Sequence, residues 1–420
     1  MAKTTGHLVA LATRILEQAK ALEAYHEKQD TPLPSFDESA SEGLNFPREM
    51  EKTRATISDA CEELNALVQD PRMMMQSRVM AHLLYFDVVH RFKITSKVPL
   101  NGSISYSELS KQTGVSEAAL RRVLRFAISN HVFAEKQPGF ISHSAASRLL
   151  VDDPTMFDWV GSVVQEITPA QLAEGKALEK YPEADESSKT GYMVANKATE
   201  QSFYLHMAKE PERVRQFGSA MSGFAKGRGH SLDHLVNNFP WGELGSGTVV
   251  DLGGGATGGA AFAIGEKYPD LNLIVQDLPD TVAGAEEKPG VNVKFQAHSF
   301  FDEQPVKGAD VYMSRWCFHN WSDKYCTKIL NALIPALKPG ARILIMDAVL
   351  PQIGSGAVLS NEERRLRNFD VTMMALSASQ ERELEDWKAL FAAVDSRYRW
   401  KGVAQPEGSN LALIEAVWDP

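Results

Sequence analysis

VVDLGGGATGG, residues 249–259, decides the fold. Val249, Val250 and Asp251 read as the end of a buried strand. Gly253, Gly254 and Gly255 then carry the chain through a tight turn into AAFAIGEKYP (260–269), a helix of small residues. Glycine belongs where the backbone must take a positive φ or approach a ligand closely. The helix behind the turn offers unpaired N–H groups and the positive end of its dipole. A second apolar run, NLIVQDL (272–278), carries Asp277 nineteen residues beyond Gly258. An acid at the tip of the second strand is the usual partner of two ribose hydroxyls.

Two cofactors meet these requirements. Gly253, Gly255 and Gly258 satisfy G-x-G-x-x-G, the dinucleotide spacing. S-adenosylmethionine (SAM) also presents an adenosine to the second strand, with an amino-acid head group in place of the pyrophosphate. Asp251, just ahead of the glycines, would repel a pyrophosphate and suits the neighbourhood of an ammonium group. On these residues alone, both cofactors stay open.

Working outward, ADVYMS (309–314) and ARILIMDAVL (341–350) are further apolar runs separated by helical patterns. Strands alternating with helices imply a mostly parallel sheet covered on both faces, so residues 241–420 are expected to form one α/β, Rossmann-like domain. Upstream the chain is helical. Leu8, Leu11, Ile15, Leu16, Ala19 and Leu22 recur at three- and four-residue steps, and TPLPSFDESASEGLNFP (31–47) reads as a linker, which makes 1–45 a helix and linker. Helical patterns resume over Glu49–Val68 and Met73–Phe92. YSELSKQTG turns at Gly114, Ser116 caps SEAALRRVLRFAISN, and HVFAEKQPGFISHSAASRLL (131–150) has a two-residue period broken at Pro138-Gly139. Helix, turn, helix and hairpin outline a winged-helix domain over 46–160. Residues 161–240 form a helical connector punctuated by aromatic residues and methionine.

Composition limits what this outline can do. Lys plus Arg is 44 against 54 Asp plus Glu, a formal charge of −10. Residues 104–150 hold six basic side chains (Lys111, Arg121, Arg122, Arg125, Lys136, Arg148) against three acidic ones. That is too weak a basic face for nucleic-acid binding or a polybasic membrane anchor. The N-terminus lacks an unbroken apolar stretch, and no run of eighteen apolar residues occurs, so no membrane span is expected. Three unpaired cysteines, Cys61, Cys317 and Cys326, exclude a disulfide scaffold or a cysteine-rich zinc site and fit a reducing, cytoplasmic compartment. No metal is expected.

The order of motifs is more specific than any one of them. The winged-helix outline, VVDLGGG, QDLPDTV, the block DVYMSRWCFHNWSDKYCTKILNALIPALKPGARILIMDAVLP and ERELEDWKALF follow one another along the chain. In that order the chain resembles the plant- and fungal-type small-molecule O-methyltransferases, the caffeate and flavonoid O-methyltransferase family, as a fungal secondary-metabolism member. The resemblance implies a seven-stranded Rossmann-like SAM-methyltransferase domain behind a mainly α-helical winged-helix dimerisation domain that does not bind DNA. It implies SAM as the cofactor, with Asp251, Gly253, Gly255, Gly258, Asp277, Leu278, Ser299, Phe300 and Arg315 around it. It places His319, in CFHNW, as the catalytic base, with Asp347 and Glu381 flanking its imidazole.

A phenol is mostly protonated at neutral pH, so a histidine that takes its proton is the chemistry such an enzyme needs. Trp159, Phe203, His206, Met221, Phe224, Trp316, Met373 and Met374 are the candidate acceptor-site residues, since aromatic faces and adaptable methionines suit a flat apolar hydroxyl compound. Three positions depart from the family pattern: Thr257 where the turn usually has a glycine, Ser299 in place of an aspartate that reads adenine, and Asn320 in place of the acid after the histidine. They keep open a non-methylating member of the fold, a dehydratase or pericyclase. An NAD-linked enzyme and a winged-helix regulator are the remaining alternatives.

Overall fold

The computed structural model describes residues 7–40, 46–79, 83–225, 227–286, 288–352 and 360–420. They divide into two compact units. The first gathers the described residues within 1–168, 210–224 and 356–362, and the second those within 169–209, 225–355 and 363–420.

In the first unit, helices His7–Gln29 and Arg48–Val68 pack on each other. The expected helix over 73–92 is found as Pro71–Val79 and Leu83–Arg91, with 80–82 outside the described residues. Strand β1 (Ser103–Ser105) leads into helix Tyr106–Thr113, then helix Glu117–Ser129, then the hairpin β2 (Ala134–Gln137) and β3 (Phe140–Ser142). The three strands form an antiparallel sheet in the order β1-β3-β2. The Ser105 hydroxyl accepts from Glu108 N–H, Gly114 ends the first helix at φ +73°, and the Ser116 hydroxyl accepts from Ala119 N–H. Leu120, Leu124 and Ala127, one helical face, are buried against Leu109, Val89 and Ile141.

Glu135 ties the hairpin to both helices. It accepts from the Tyr106 hydroxyl at 3.0 Å, from the Arg125 guanidinium at 2.8 and 2.9 Å, and from Gly139 N–H in the turn at 2.8 Å. The Arg125 hydrogen bond chiefly pulls its carboxyl down to about 2. Five of the six basic side chains counted above have a carboxylate within 3.5 Å: Lys111, Arg121, Arg125, Lys136 and Arg148. The helix–turn–helix segment therefore offers little uncompensated positive charge.

The second unit is built on β4 (Thr248–Leu252), β5 (Asn272–Asp277), β6 (Val293–Ala297), β7 (Val311–Arg315), β8 (Arg342–Asp347), β9 (Val349–Leu350), β10 (Arg382–Glu383), β11 (Tyr398–Ala404) and β12 (Ala412–Trp418). Seven of them form one sheet in the order β11-β12-β8-β7-β4-β5-β6, parallel from β8 to β6, with β12 and β11 antiparallel. β9 and β10 pair separately and in parallel. Alternate residues supply two cores. Val250, Ile343 and Ile345 pack with Ile329, Leu330, Leu333, Trp387 and Phe391, whereas Val249, Leu344 and Met346 pack with Leu235, Ala261 and Ile264. Burial on both faces is why these strands read as unbroken apolar runs. Strand β4 lies between β5 and β7, so the strand order reverses there. The crevice beyond the carboxyl ends of the two strands is where open α/β sheets bind ligands. Among the described residues no helix is long and apolar enough to cross a membrane.

Candidate active site

The glycine turn leaves β4 at that reversal. Gly253, Gly255 and Gly258 all have positive φ, +74°, +73° and +54°, a region that L side chains occupy only with strain. Gly253 and Gly254 N–H groups both donate to the Gln276 carbonyl, at 2.8 and 3.2 Å, which ties the turn to the end of β5. Gly254 has no room for a side chain, since a Cβ there would lie 2.6 Å from Asp251 Oδ2 and 2.8 Å from Val275 Cγ1. A Cβ at Gly255 would meet nothing within 4 Å. Gly258 caps helix Gly259–Lys267 directly after Thr257.

Asp277 Oδ2 accepts from Gly255 N–H at 2.9 Å and Oδ1 from Leu278 N–H at 2.8 Å, which holds the carboxylate at the strand tip with lone pairs to spare. Leu278 is exposed. Phe300 borders Gly253, whose Cβ position lies 3.4 Å from its ring and 3.2 Å from Cys317 Sγ. Ser299 Oγ accepts a long bond from Phe301 N–H at 3.4 Å. Asp251 is buried, its Oδ2 has no hydrogen-bond partner, and burial pushes its carboxyl up to about 7 against the pull of Arg315. Arg315 donates to the His230 carbonyl at 2.6 Å, and its Nε is buried without a partner. Open space over Gly255, an anchored acid at the second strand and orphaned buried groups of both signs suit a molecule with a ribose diol and an amino-acid head. The residues fit SAM.

One strained residue leads from β7 to the histidine. Trp316 has φ +56°, uncommon for a bulky side chain and the kind of strain that accumulates at functional sites. Its ring stacks on His230 at 4.5 Å and lies near-parallel to His319 at 6.2 Å. The turn Phe318–Asn320 follows. The buried His319 Nδ1 lies 2.7 Å from Glu381 Oε1, and its backbone N–H donates to Asp347 Oδ2 at 3.2 Å. The Phe369 ring also lies near-parallel to the imidazole, at 6.0 Å. Burial disfavours the charged ring, but the Glu381 bond and the charges of Glu381 and Asp347 outweigh it and raise the His319 pKa. Asp347 is fully buried, and burial lifts its carboxyl to about 7. The structure thus brings His319, Asp347 and Glu381 into one cluster. The Asn320 side chain turns back to the Trp316 carbonyl at 3.4 Å.

The candidate acceptor residues fall in both units. In the first, Trp159 and Phe224 stack at 5.2 Å, and Met221 stands on the same helix as Phe224. In the second, buried Phe203 meets Tyr192 edge-on at 5.5 Å, and His206 Nδ1 lies 3.1 Å from the Tyr192 hydroxyl. Met373 and Met374 lie on helix Asn361–Ser377, Met373 buried. Among the described residues, no group of three or more His, Cys, Asp or Glu side chains is arranged to hold a metal ion.

Comparison with known proteins bears on this arrangement. The profile of the O-methyltransferase domain matches residues 187–395. The O-methyltransferase gsfB of Penicillium aethiopicum is 38% identical, with all of both chains covered. The chlorophenol O-methyltransferase of Trichoderma longibrachiatum is 35% identical over 99% of this chain and 92% of its own.

The chain belongs to the SAM-dependent O-methyltransferase family.

A solved structure described as a pericyclic reaction enzyme shares the methyltransferase's fold, with a TM-score of 0.71 and 22% identity over 99% of this chain and 100% of that one.

Reading the methyltransferase's sequence missed several neighbours of its central histidine. Asp370 Oδ1 accepts from Glu381 N–H at 2.9 Å, Phe369 stacks on the ring, and Arg382 lies buried beneath the turn. Only Arg382 had a local signal, its place directly after a motif acid.

Proposed function

We propose that this methyltransferase acts on a hydroxyl of an aromatic or polyketide-derived small molecule, with His319 as the general base. The carrying observation is the 2.7 Å contact of His319 Nδ1 with buried Glu381. With Nδ1 committed to a carboxylate, Nε2 is left as the base, and the tautomer and ring orientation are set by the partner. Bound SAM supplies an electrophilic methyl group. The protein's task is to align the acceptor hydroxyl and remove its proton: His319 receives it, and Glu381 and Asp347 stabilise the resulting imidazolium. Asp277 would hold the ribose of the adenosine end, beside the open space over Gly255. The similarity to a chlorophenol O-methyltransferase supports a phenolic acceptor. The exposed apolar side chains of the N-terminal helices support a homodimer.

The test begins with calorimetric titration of SAM and its demethylated product into the purified protein, followed by methylation of a panel of phenols. Binding of both sulfur compounds is expected, and His319→Ala should lower kcat by about 10²- to 10⁴-fold with SAM affinity unchanged. Failure of both compounds to bind would overturn methyl transfer and leave the cofactor-free chemistry of the fold. Unaltered kcat in His319→Ala would remove the histidine from the mechanism.

A further inference from the structure

We propose that Arg382 is a positioning residue, whose guanidinium locks the backbone of the His319 turn in register with Glu381 and Asp347. This rests on the reading of His319 as the base.

Arg382 is 0% exposed. Its Nη1 donates to the Phe318 carbonyl at 3.3 Å and its Nη2 to the Trp321 carbonyl at 2.9 Å, so the fork spans the Phe318–Asn320 turn from both ends. Nη2 also reaches Cys326 Sγ at 3.3 Å, and the guanidinium lies 5.1 Å from the Trp387 ring centroid. Among the described residues its carboxylate partner is Asp323, 2.9 Å from Nε, whose side chain is 59% exposed.

A buried charge is a poor way to add stability, because an apolar residue of similar volume avoids the desolvation cost. A partner half in water compensates little of that cost. What an apolar residue could not do is hold two carbonyls at a fixed separation, which the planar five-donor fork does.

The connections of Arg382 converge on the histidine. Its chain neighbour Glu381 holds His319 Nδ1 at 2.7 Å. In the β9–β10 pair, Arg382 stands opposite Val349, two residues beyond the Asp347 that accepts the His319 N–H. The Arg382 side chain thus holds the backbone of the turn, while its own backbone is joined to Glu381 and, through the β9 pairing, to the chain just after Asp347.

Arg382→Lys keeps a charge and loses the fork. The expected result is a kcat lowered about 10- to 100-fold, the scale of a small misplacement of reacting groups, with acceptor KM, SAM affinity and Tm close to wild type. A ¹⁵N NMR titration of the His319 ring is a readout independent of turnover. Among the described residues, the charges of Glu381 and Asp347 raise the pKa of this ring and that of Arg382 lowers it; with the charge kept as Lys, a looser contact with Glu381 should bring the pKa down toward the ordinary histidine value. Wild-type kcat and ring titration in Arg382→Lys would overturn the proposal. So would Tm and SAM affinity falling in step with kcat, which would make Arg382 a packing residue only.

Should Arg382→Lys fail to fold, Asp323→Asn loosens the same fork from its exposed end. A several-fold loss of kcat with unchanged Tm is expected there, and no change in kcat or ring titration would overturn the proposal. Run in parallel, His319→Ala separates the two ideas. A fully active His319→Ala sinks the base assignment, whereas an inactive one beside a fully active Arg382→Lys sinks only the role of Arg382.

Discussion

At His319, burial and hydrogen bonding pull the imidazole in opposite directions, and the carboxylates win. The consequence for activity has a definite sign. As the proposed general base, His319 must be neutral to accept a proton, so its raised pKa moves the acidic limb of kcat to higher pH. The limb is expected above about 6.5, the unperturbed histidine value. Asp347, lifted to about 7, titrates in the same range, so the limb reports the cluster rather than one group. Glu381→Gln keeps an acceptor for Nδ1 but removes the charge, so the limb should shift toward lower pH and the plateau kcat should fall. Stability follows the same linkage. A histidine whose folded pKa lies above its unfolded value contributes stability that is fully present below the unfolded pKa and lost as pH rises through the folded one. The Tm difference between wild type and Glu381→Gln is therefore expected to be larger at pH 6 than at pH 9. A difference independent of pH would mean that the contact carries no charge interaction.

At the scale of the element, adjacent glycines of one turn serve different ends. A methyl at Gly254 would collide with Asp251 and Val275, so Gly254→Ala should destabilise the fold by about 1–3 kcal/mol, as overpacking does, whether or not cofactor is present. A methyl at Gly255 meets no protein atom within 4 Å but enters the open space beside Asp277, at a φ of +73°. Gly255→Ala should weaken SAM binding at least about tenfold, with a smaller fall in Tm from the left-handed backbone alone, roughly 1–2 kcal/mol. Thermal melts and calorimetric titration of the pair would separate the roles, and equal effects on both readouts would collapse the distinction. The turn was legible in sequence because its constraints are local: a strand, a run of glycines, a helix and an acid nineteen residues on. His319, Asp347 and Glu381 were legible only through the resemblance, since 28 and 62 residues separate the histidine from its partners. The backbone strain at Trp316, the stacking of Phe369 and the support from Asp370 and Arg382 left no periodic trace, because each depends on where distant elements meet.

At the scale of the molecule, the described helices of the first unit carry several large apolar side chains exposed to solvent. Val9 and Leu16 on the first helix, Leu67 and Val68 at the end of the second, and Met73 and Met75 on the third are all more than half exposed. Scattered exposed apolar residues are ordinary, but a concentration on successive helices marks a surface meant to be covered. A second copy of the chain is the proposed cover, so light scattering on the eluted protein should give twice the mass of one chain at micromolar concentration. Leu16→Asp combined with Val68→Asp should shift that mass toward the monomer, and a wild-type monomer would end the idea. The monomeric variant would also locate the cofactor site. The glycine turn, Asp277, His319, Asp347 and Glu381 all lie in the second unit of a single chain, so it should bind SAM with wild-type affinity. If it does so and yet no longer methylates phenols, a residue of the partner chain belongs to the acceptor site. If it keeps full activity, every group the reaction needs comes from one chain.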